Sequence, residues 1–445
     1  MKKISIFFVV WFLVFGFLSY AFAGGIDNLQ NFSARYNGTG SRNAALDGAD
    51  IVAYNPAGIA WQEDGITIEV DIQYISKDFV HNYTQTHPSQ DVTKDQNEPS
   101  IIPSMFVVYK KDKLGLFGSF TVIGGGGKVS YDNGNYVTDQ IEQGFFGKTQ
   151  SLIAANIENE KIEAESQYLA FTTGGTYRFS DKFSAGAGIR FVQAEKKVDA
   201  SADITNQFIG AGLFNTPSQD FSDGLEGGYE QTDESFGFVL SANYAHSKDL
   251  LFALRYESKI ELGFDTKISE TSTTLGKTTL AELGIEDGKK YARDLPAVFG
   301  LGISYNASEK LNLSTSFTYY FQEQADWYAF DSTTKTAFQL DSQVNNGFDF
   351  GLSATYSVND RLRLSCGYMY TDTGFDAEDF DLQARMSPAL NANTYLLGAG
   401  FDLSAKSTIN LSATTVNYVS DADEARNVEY QKTNRSLSFA YIYKF

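Results

Sequence analysis

The feature that most constrains this chain is a two-residue alternation of apolar and polar side chains that returns along most of its length. In "GITIEVDIQYIS" the apolar side chains from Ile66 to Tyr74 take alternate positions, and Thr67, Glu69 and Asp71 lie between them. Successive side chains of a β-strand point to opposite faces, so the pattern predicts a strand with one apolar and one polar face. A chain that repeats this pattern many times is expected to build one large sheet.

Fourteen segments of this kind predict an all-β chain, and each is long enough to cross a bilayer at the tilt of a barrel strand, about 9 to 11 residues. The connections alternate between short turns such as "KKDK" and "VNDR" and much longer polar loops such as 124–162. Outer-membrane barrels sort their connections in this way, with short periplasmic turns and long outer loops. The predicted strands are 66–76, 101–111, 114–123, 163–179, 182–198, 232–247, 250–263, 294–305, 310–322, 343–357, 360–372, 391–403, 406–419 and 432–445.

Aromatic residues mark one end of the predicted strands. Tyrosines take the last apolar-face positions before the short turns, and the final strand ends in Phe445. A tyrosine ring suits the depth of the lipid headgroups, whereas strand propensity alone would not fix its position relative to a turn. The terminal aromatic residue resembles the signal read by the outer-membrane barrel assembly machinery, which is therefore an expected partner. The tyrosines are Tyr109, Tyr177, Tyr244, Tyr305, Tyr356, Tyr441 and Tyr443.

The N-terminus predicts export. Lys2 and Lys3 precede a long apolar run, and "AFA" at 21–23 is a small-x-small cleavage pattern. We therefore expect a signal peptide over 1–23, because the apolar run is short for a membrane anchor. The remaining chain carries 33 basic and 55 acidic residues, a net charge of −22, which argues against a nucleic-acid partner.

Lipid is expected to cover the apolar face of the strands, because the chain has too few other hydrophobic elements to bury it. The inward face is then small and polar, as in Ser184, Gly186 and Gly188. A barrel of fourteen strands encloses a lumen too wide for such side chains to fill.

The segment before the first strand is the candidate to fill that lumen. It is rich in Gly, Asn and Ala, and "DIVAYNPAGIAW" combines buried-type residues with a rigid Asn-Pro turn. We expect a plug, or hatch, over 24–65 and a 14-stranded antiparallel transmembrane barrel over 66–445. A loose periplasmic tail is the alternative.

The segment "GSRNAALDGADIVAYNPAGIAW" resembles the N-terminal hatch signature of outer-membrane transporters of the FadL/TodX type, which take up long-chain fatty acids and aromatic hydrocarbons. Asn55, Pro56 and Ala57 match the Asn-Pro-Ala of that family, and "LPAVFGLGISY" is similar to one of its strands. The resemblance implies a hatched barrel in the outer membrane of a Gram-negative bacterium. It also implies a monomer that admits a hydrophobic small-molecule cargo by passive diffusion and releases it sideways into the outer-membrane lipids.

The resemblance further implies a gap in the wall at a kink in the third strand. Here that strand ends in Gly124, Gly125, Gly126 and Gly127, and a run of glycines favours a bulge over a regular ladder. The run is equally consistent with the start of the long second outer loop. A kink nearer Gly118 is a further alternative.

An apolar patch in an outer loop is the first candidate for cargo capture. Phe208, Ile209, Leu213 and Phe214 lie in the otherwise polar loop 199–231. The resemblance implies an apolar groove on the outer surface, and an exposed apolar patch could form part of such a groove. The alternative is that these side chains pack only within their own loop.

Three arginines are candidates for binding a cargo carboxylate. Arg178, Arg190 and Arg255 have the parity of lumen-facing residues, and an arginine can bind a carboxylate through two hydrogen bonds. The same side chains suit cross-strand ion pairs or contacts that hold the hatch, which is the more common use of such residues. In the seventh strand, "RYES" places Glu257 where the resemblance leads us to expect a basic residue, which weakens the case for a fatty-acid cargo.

Neither catalysis nor a cofactor is expected. His81, His87 and His246 lie in a predicted loop and at a turn, with no serine paired to them on any strand, and they are a poor basis for a metal site. The single cysteine, Cys366, falls on the lipid face and reads as a small hydrophobe. The rival function is a general porin for polar solutes, which would have a charged constriction and no plug.

Overall fold

The structure is a computed structural model that describes residues 30–83, 92–94, 100–134, 153–208, 224–331, 336–379, 389–424 and 427–445. Within these residues fourteen long strands form the wall of one barrel. They are β1 (Gly65–Tyr83), β2 (Ser100–Lys111), β3 (Leu114–Tyr131), β4 (Ile153–Arg178), β5 (Phe183–Phe208), β6 (Leu225–Ala245), β7 (Leu250–Glu257), β8 (Val298–Asn306), β9 (Leu311–Tyr320), β10 (Gly347–Ser357), β11 (Leu362–Asp372), β12 (Ala392–Ser404), β13 (Ser407–Tyr418) and β14 (Val428–Lys444).

The sheet closes on itself. Each strand pairs antiparallel with the next in sequence, and β14 pairs with β1 from Thr67↔Lys444 to Tyr83↔Val428. Closure removes the edges at which backbone N–H and C=O groups would be unpaired, and lipid offers those groups no other partner. The predicted 14-stranded antiparallel barrel is therefore confirmed.

Shorter elements lie in the chain before β1 and in the connections between the long strands. The chain before β1 contains α1 (Ala34–Asn37), α2 (Ile51–Tyr54) and the 3-10 helix Pro56–Trp61, and the connection between β7 and β8 contains α3 (Thr274–Glu282). Among the described residues, no helix is both long and apolar enough to cross a membrane. The remaining elements are short strands at Val92–Lys94, Gly263–Ile268, Lys290–Ala292, Tyr328–Asp331, Thr336–Gln339 and Asp421–Asp423 and 3-10 turns at Gln322–Gln324, Leu340–Gln343 and Ala377–Asp379.

Several strands run further outward than predicted, most of all β1, β3, β4, β5 and β6. The third continues to Tyr131, and parts of the predicted loops 124–162 and 199–231 belong to β3, β4 and β5. These extensions are paired, as at Glu163↔Asp199, but they carry polar and charged residues on both faces. The apolar alternation imposed by lipid is absent there, so the sequence gives no strand signal.

The seventh strand is shorter than predicted. It was expected over 250–263, but β7 ends at Glu257 and Gly263–Ile268 is a separate strand that pairs with β6. Between the two, the chain turns inward, and Ile260 and Leu262 are buried. The apolar residues that suggested a longer strand therefore belong to the interior of the barrel.

The two faces of the wall are the reverse of those in a water-soluble protein. Leu397 and Ile189 on the outer face are 64% and 61% exposed, whereas the polar residues Ser184, Asn243 and Glu69 on the inner face are buried. Large apolar side chains in this number remain outside only when another apolar phase covers them. The outer face is therefore the lipid-facing surface.

The depth of a lipid-facing residue should set the cost of a charge at that position. Leu397 lies at the middle of β12, and Leu403 lies beside the periplasmic turn that follows it. We expect Leu397→Arg to lower the free energy of unfolding in lipid vesicles by about 2–4 kcal/mol, and Leu403→Arg by about 0–1 kcal/mol. Urea titrations followed by tryptophan fluorescence measure both values. Equal costs at the two positions would contradict the assigned lipid face.

Candidate functional site

Residues 30–64, here called the N-terminal segment, contact the inward face of the wall. Their polar groups bond to inward-facing side chains on opposite parts of the wall. Asn37 Nδ2 donates to Ser438 Oγ of β14 at 2.9 Å, and the Ala57 N–H donates to Ser241 Oγ of β6 at 2.8 Å. Similar contacts join Asn31 to Gln73, Ser41 to Ser316 and Asn37 to Thr414. The segment is thus fixed to the wall around the lumen.

Of the residues singled out from the sequence, Asn55 joins α2 to the 3-10 helix, and Pro56 and Ala57 are the first two residues of that helix. Proline is favoured at the first position of a helix, where its missing N–H is not needed. Asn55 Nδ2 donates to the Ala45 carbonyl at 2.9 Å, and the Ala57 carbonyl accepts from Ser184 Oγ at 2.8 Å. All three residues are buried, and their part in a gate stays a prediction.

Two glycines of the wall make room for this segment. A Cβ atom at Gly351 would overlap the carbonyl oxygen of Gly40, and one at Gly367 would overlap that of Thr39. Only glycine lets the two backbones approach so closely. Some of the small inward-facing residues seen in the sequence therefore leave the space that the backbone of the N-terminal segment needs.

An ion cluster of the buried residues Arg42 and Asp50 and the exposed residue Asp47 holds the N-terminal segment together. Arg42 Nη2 lies 2.6 Å from Asp50 Oδ1, and Nη1 lies 2.9 Å from Asp47 Oδ1. Burial lowers the pKa of Arg42, but the carboxylates of Asp50 and Asp47 raise it above its usual value, so the guanidinium stays charged. Asp50 also accepts from Ser33 Oγ at 2.8 Å. The cluster thus joins Ser33 and Asp50, which are 17 residues apart in the chain, into one compact unit.

Carboxylates of β1 accept from the backbone of the N-terminal segment. Glu69 Oε2 accepts from the N–H groups of Ala49 and Asp50 at 2.7 and 2.9 Å, and Asp71 Oδ1 accepts from the Ala34 N–H at 2.7 Å. These N–H groups lie at the starts of the two short helices, where a negative charge is favourable.

Arg255 contacts the N-terminal segment directly. Its side chain is 1% exposed, donates to the Ala53 carbonyl and donates to Gln30 Oε1 at 2.9 Å. Its Nε lies 3.4 Å from Glu257 Oε1. This arginine thus contacts both the N-terminal segment and an acidic neighbour.

Arg190 and Arg178, the other two predicted arginines, lie in different places. Arg190 pairs with Glu257 and donates from Nε to Thr172 Oγ1 at 3.1 Å. Arg178 lies at the periplasmic end, 4.3 Å above the Trp61 ring and 3.1 Å from Asp181. The structure therefore brings Arg190 and Arg255 together and leaves Arg178 apart. A ligand role for any of the three stays a prediction.

The glycine run from Gly124 to Gly127 lies inside β3, which continues to Tyr131, and is not the start of a loop. The register with β4 shifts between Val122 and Gly124 and again between Gly124 and Gly127. Gly125 and Gly127 have φ angles of +86° and +66°, which favour glycine. At Gly118 the pairing is regular. The kink of the third strand is therefore at Gly124, Gly125, Gly126 and Gly127, although its role as a gate stays a prediction.

The strand pairing of the wall has a gap next to this kink. The β2–β3 ladder runs from Lys111↔Leu114 to Met105↔Phe120 and stops, while β2 continues to Ser100 paired with β1 alone. Buried apolar side chains line the interior behind this gap. They include Phe32, Ile102, Phe106, Val122 and Ile123.

An apolar groove of about 110 Å³ lies at the outer end of the barrel. Leu280, Leu283 and Ile285 contribute to it from α3 and the chain that follows, and Phe264 and Tyr229 form its wall side. The sequence reasoning missed this helix. Thr273, whose hydroxyl accepts from the Gly276 N–H at 3.1 Å, and the left-handed Gly284 are start and stop signals that could have found it.

The apolar loop patch predicted from the sequence falls mostly outside the described residues. Phe208 ends β5, and its side chain lies outside the description, as do Ile209, Leu213 and Phe214. Their role in cargo capture therefore stays a prediction.

A second cavity, of about 360 Å³, lies between the N-terminal segment and strands β8 to β13 at the periplasmic end. Its lining is polar and includes Arg35, Asp47, Ser314, Thr355 and Asn410. The two cavities thus differ in chemistry, with the apolar one at the outer end and the polar one at the periplasmic end. Within the described part of the chain, no group of three His, Cys, Asp or Glu residues could hold a metal ion.

Comparisons with known proteins identify the family of this chain. The model of the family described as outer membrane protein transport protein (OMPP1/FadL/TodX) matches residues 17–441. Outer membrane protein P1 of Haemophilus influenzae is 23% identical over 399 residues, which cover 83% of this chain and 80% of that protein.

Solved structures with the same fold include a FadL homologue of Pseudomonas aeruginosa and the toluene transporter TodX of Pseudomonas putida. The first is 14% identical with a TM-score of 0.68, covering 95% of this chain and 100% of that chain. The second is 15% identical with a TM-score of 0.66, covering 95% and 100%. At these identities the likeness establishes the fold.

The Arg42 cluster should determine how firmly the N-terminal segment is held. Arg42→Met leaves the Asp50 carboxylate buried without its guanidinium, which costs about 3–5 kcal/mol in comparable sites. We expect the Val52 and Asn55 amides to lose protection from hydrogen exchange by at least about a hundredfold, with strand amides unchanged. Mass spectrometry of exchanged peptides measures both.

The matched control is Arg361→Met, which removes an exposed arginine from a periplasmic turn. It should leave exchange in the N-terminal segment unchanged. Equal protection in the Arg42 variant and the native protein would show that the ion cluster does not hold the segment.

Proposed function

This chain belongs to the outer membrane protein transport protein family (OMPP1/FadL/TodX), and from that premise we propose that it is a channel for the uptake of hydrophobic compounds. The cargo is a long-chain fatty acid or a hydrocarbon, which crosses by passive diffusion and leaves sideways into the membrane lipids. The protein lies in the outer membrane of a Gram-negative bacterium.

One observation carries the proposal. A single cluster of buried apolar side chains connects the outer groove, the kink of β3 and the gap in the wall. Phe264 lines the groove and belongs to this cluster, Ile123 belongs to it at the kink, and Ile102 belongs to it at the gap. An apolar solute can therefore move from the outer surface to the wall with apolar contacts along the way.

The groove is suited to the capture step. Its apolar lining at the outer end of the barrel offers a landing site to a molecule that is poorly soluble in water. TodX, which has the same fold, is a transporter of toluene, an uncharged aromatic hydrocarbon. A groove of this chemistry supports a cargo of the same general kind here.

The N-terminal segment is proposed to act as the hatch. It fills the lumen and bonds to the wall on several sides, as in the pairs Asn37–Ser438 and Ala57–Ser241. The turn at Asn55, Pro56 and Ala57 lies within it, and movement there would loosen its hold on β5 and β6. The proposed organisation is a signal peptide over 1–23, a hatch over 24–65 and a barrel over 66–445.

The gap is proposed to be the exit. An apolar molecule that enters lipid is stabilised by about 25 cal/mol for each Å² of apolar surface removed from water, and a watery pore offers no such gain. Movement down this gradient needs no other energy source. The same proposal includes two further expectations. The protein is a monomer, and the barrel assembly machinery inserts it into the outer membrane.

Ion conductance separates this proposal from a general porin. In planar bilayers the full-length channel should conduct little, because the N-terminal segment occupies the lumen. Deletion of residues 24–60 should raise the conductance by at least about tenfold, since a barrel of this size then encloses water. A full-length protein that conducts as freely as the deletion variant would favour the porin.

Restoring the ladder of β3 tests the sideways exit. From Val122 to Gly127 β3 advances five residues while β4 advances three, from Leu169 to Ser166, so β3 holds two extra residues. Deletion of Gly125 and Gly126 removes the excess and should straighten the strand. We expect the initial rate of uptake of a labelled hydrocarbon into cells to fall at least about tenfold, a barrier raised by ~1.4 kcal/mol.

The control for this experiment is Gly118→Ala in the same strand, where a Cβ would lie 3.8 Å from the Thr172 carbonyl oxygen and fits without strain. It should transport at the native rate, and both variants should reach the outer membrane in equal amounts. Native uptake by the deletion variant would rule out an exit at the kink.

A further inference from the structure

A buried charge cluster lies beside the kink of β3, on the proposed route. It consists of Arg190 on β5 and of Arg255 and Glu257 on β7, with side chains that are 8%, 1% and 8% exposed. A small cleft of about 20 Å³, enough for one water molecule, separates the Arg190–Glu257 pair from Phe32 and Ile123. A cargo moving from the interior to the gap passes this cluster.

The geometry of the wall brings the pair together across an intervening strand. Arg190 lies opposite Gly237 of β6, and Glu257 lies opposite Val239 of the same strand. Because Gly237 has no side chain, the arginine can reach across β6 to the carboxylate.

Each of the two arginines makes two hydrogen bonds in or beside this cluster. Arg190 donates to Glu257 and, at 3.1 Å, to Thr172. Arg255 donates to the Ala53 carbonyl and to Gln30 Oε1, and its Nε faces Glu257 at 3.4 Å. If the N-terminal segment moved away, Arg255 would lose Ala53 and Gln30, but both guanidinium groups would still face Glu257.

A second buried carboxylate lies in the same region. Asp349 is 3% exposed and accepts from Tyr320 and from Thr371. Burial raises the pKa of Tyr36, Asp349 raises it further and Arg255 lowers it, so both charges act on this one phenol. Arg190 and Arg255 thus share Glu257 as their ion-pair partner, and Asp349 acts on the same phenol as Arg255.

We propose that Glu257 determines specificity: by occupying Arg190 and Arg255 it makes the channel favour uncharged cargo over carboxylates. The inference rests on the proposed function and names its substrate class. A carboxylated cargo would have to displace Glu257, and separating a buried carboxylate from its arginines is strongly unfavourable. An uncharged cargo passes with the pair intact.

The test compares two probes of equal chain length, laurate and dodecan-1-ol. Each is titrated into purified full-length protein in detergent at about pH 8.5, well above the pKa of a carboxyl group. Isothermal titration calorimetry gives the Kd. The native protein should bind dodecan-1-ol at least about tenfold more tightly than laurate. Glu257→Gln should tighten laurate binding by at least about tenfold and change the Kd of dodecan-1-ol by less than about twofold.

The matched control is Asp402→Asn. It makes the same chemical change in another arginine–carboxylate pair, in which Arg363 Nη1 lies 2.8 Å from Asp402 Oδ2 at the periplasmic end. It should leave the ratio of the two Kd values at the native level. Thermal unfolding followed by circular dichroism checks that each variant is folded.

The outcomes separate the two proposals. Native preference for laurate, or a folded Glu257→Gln variant with the native ratio, overturns the role of Glu257 and leaves the proposed function standing. Failure of the native protein to bind either probe overturns the proposed function and, with it, this inference. If Glu257→Gln does not fold, the ratio measured for the native protein still decides the preference.

Discussion

The whole structure depends on one constraint, which is that lipid provides no hydrogen-bond partner for the backbone. A spanning sheet must therefore be closed, and the pairing of β14 with β1 closes it. β2 and β3 are an exception to this closure, because they are not paired on the outer side of Met105↔Phe120. The two register shifts that follow at the glycine run keep β3 bonded to β4 while its other edge turns away from β2. The interior behind the gap is apolar, as expected of a place where the lumen meets lipid.

Closure has a second consequence, because it creates a lumen that the wall cannot fill. The N-terminal segment packs on the inner face of the wall, where its backbone fits against glycines such as Gly351 and Gly367. Its buried charges are paired within the segment, as in Arg42 with Asp50, and its backbone N–H groups donate to carboxylates of β1 such as Glu69. The interior therefore has two parts. The polar cavity lies at the periplasmic end, and the cluster of buried apolar side chains extends from the outer groove to the wall.

Much of the barrel could be predicted from the sequence, because lipid imposes its two-residue period on each strand separately. The alternation from Ile66 to Tyr74 is visible without any partner strand. The outer extensions of β4 and β5 carry no such signal, since water surrounds them, and their sequence predicts loops. The contact of Arg190 with Glu257 depends on two successive strand registers and on Gly237 between them, which no local pattern records. The groove was missed because α3 lies within the predicted polar loop 264–293, and its start and stop signals, Thr273 and Gly284, are single residues.

The central claim is that apolar cargo turns from the groove toward the wall at the kink of β3. The most direct measurement uses a long-chain alkane that carries a photoactivatable diazirine, added to the full-length protein in lipid vesicles and irradiated, with the labelled residues identified by mass spectrometry. The account predicts labels on side chains at the outer groove, at Val122 and Ile123, and at Ile102 and Phe106 beside the gap. Labels concentrated instead on Ser314, Thr355 and Asn410, in the polar cavity at the periplasmic end, would contradict it.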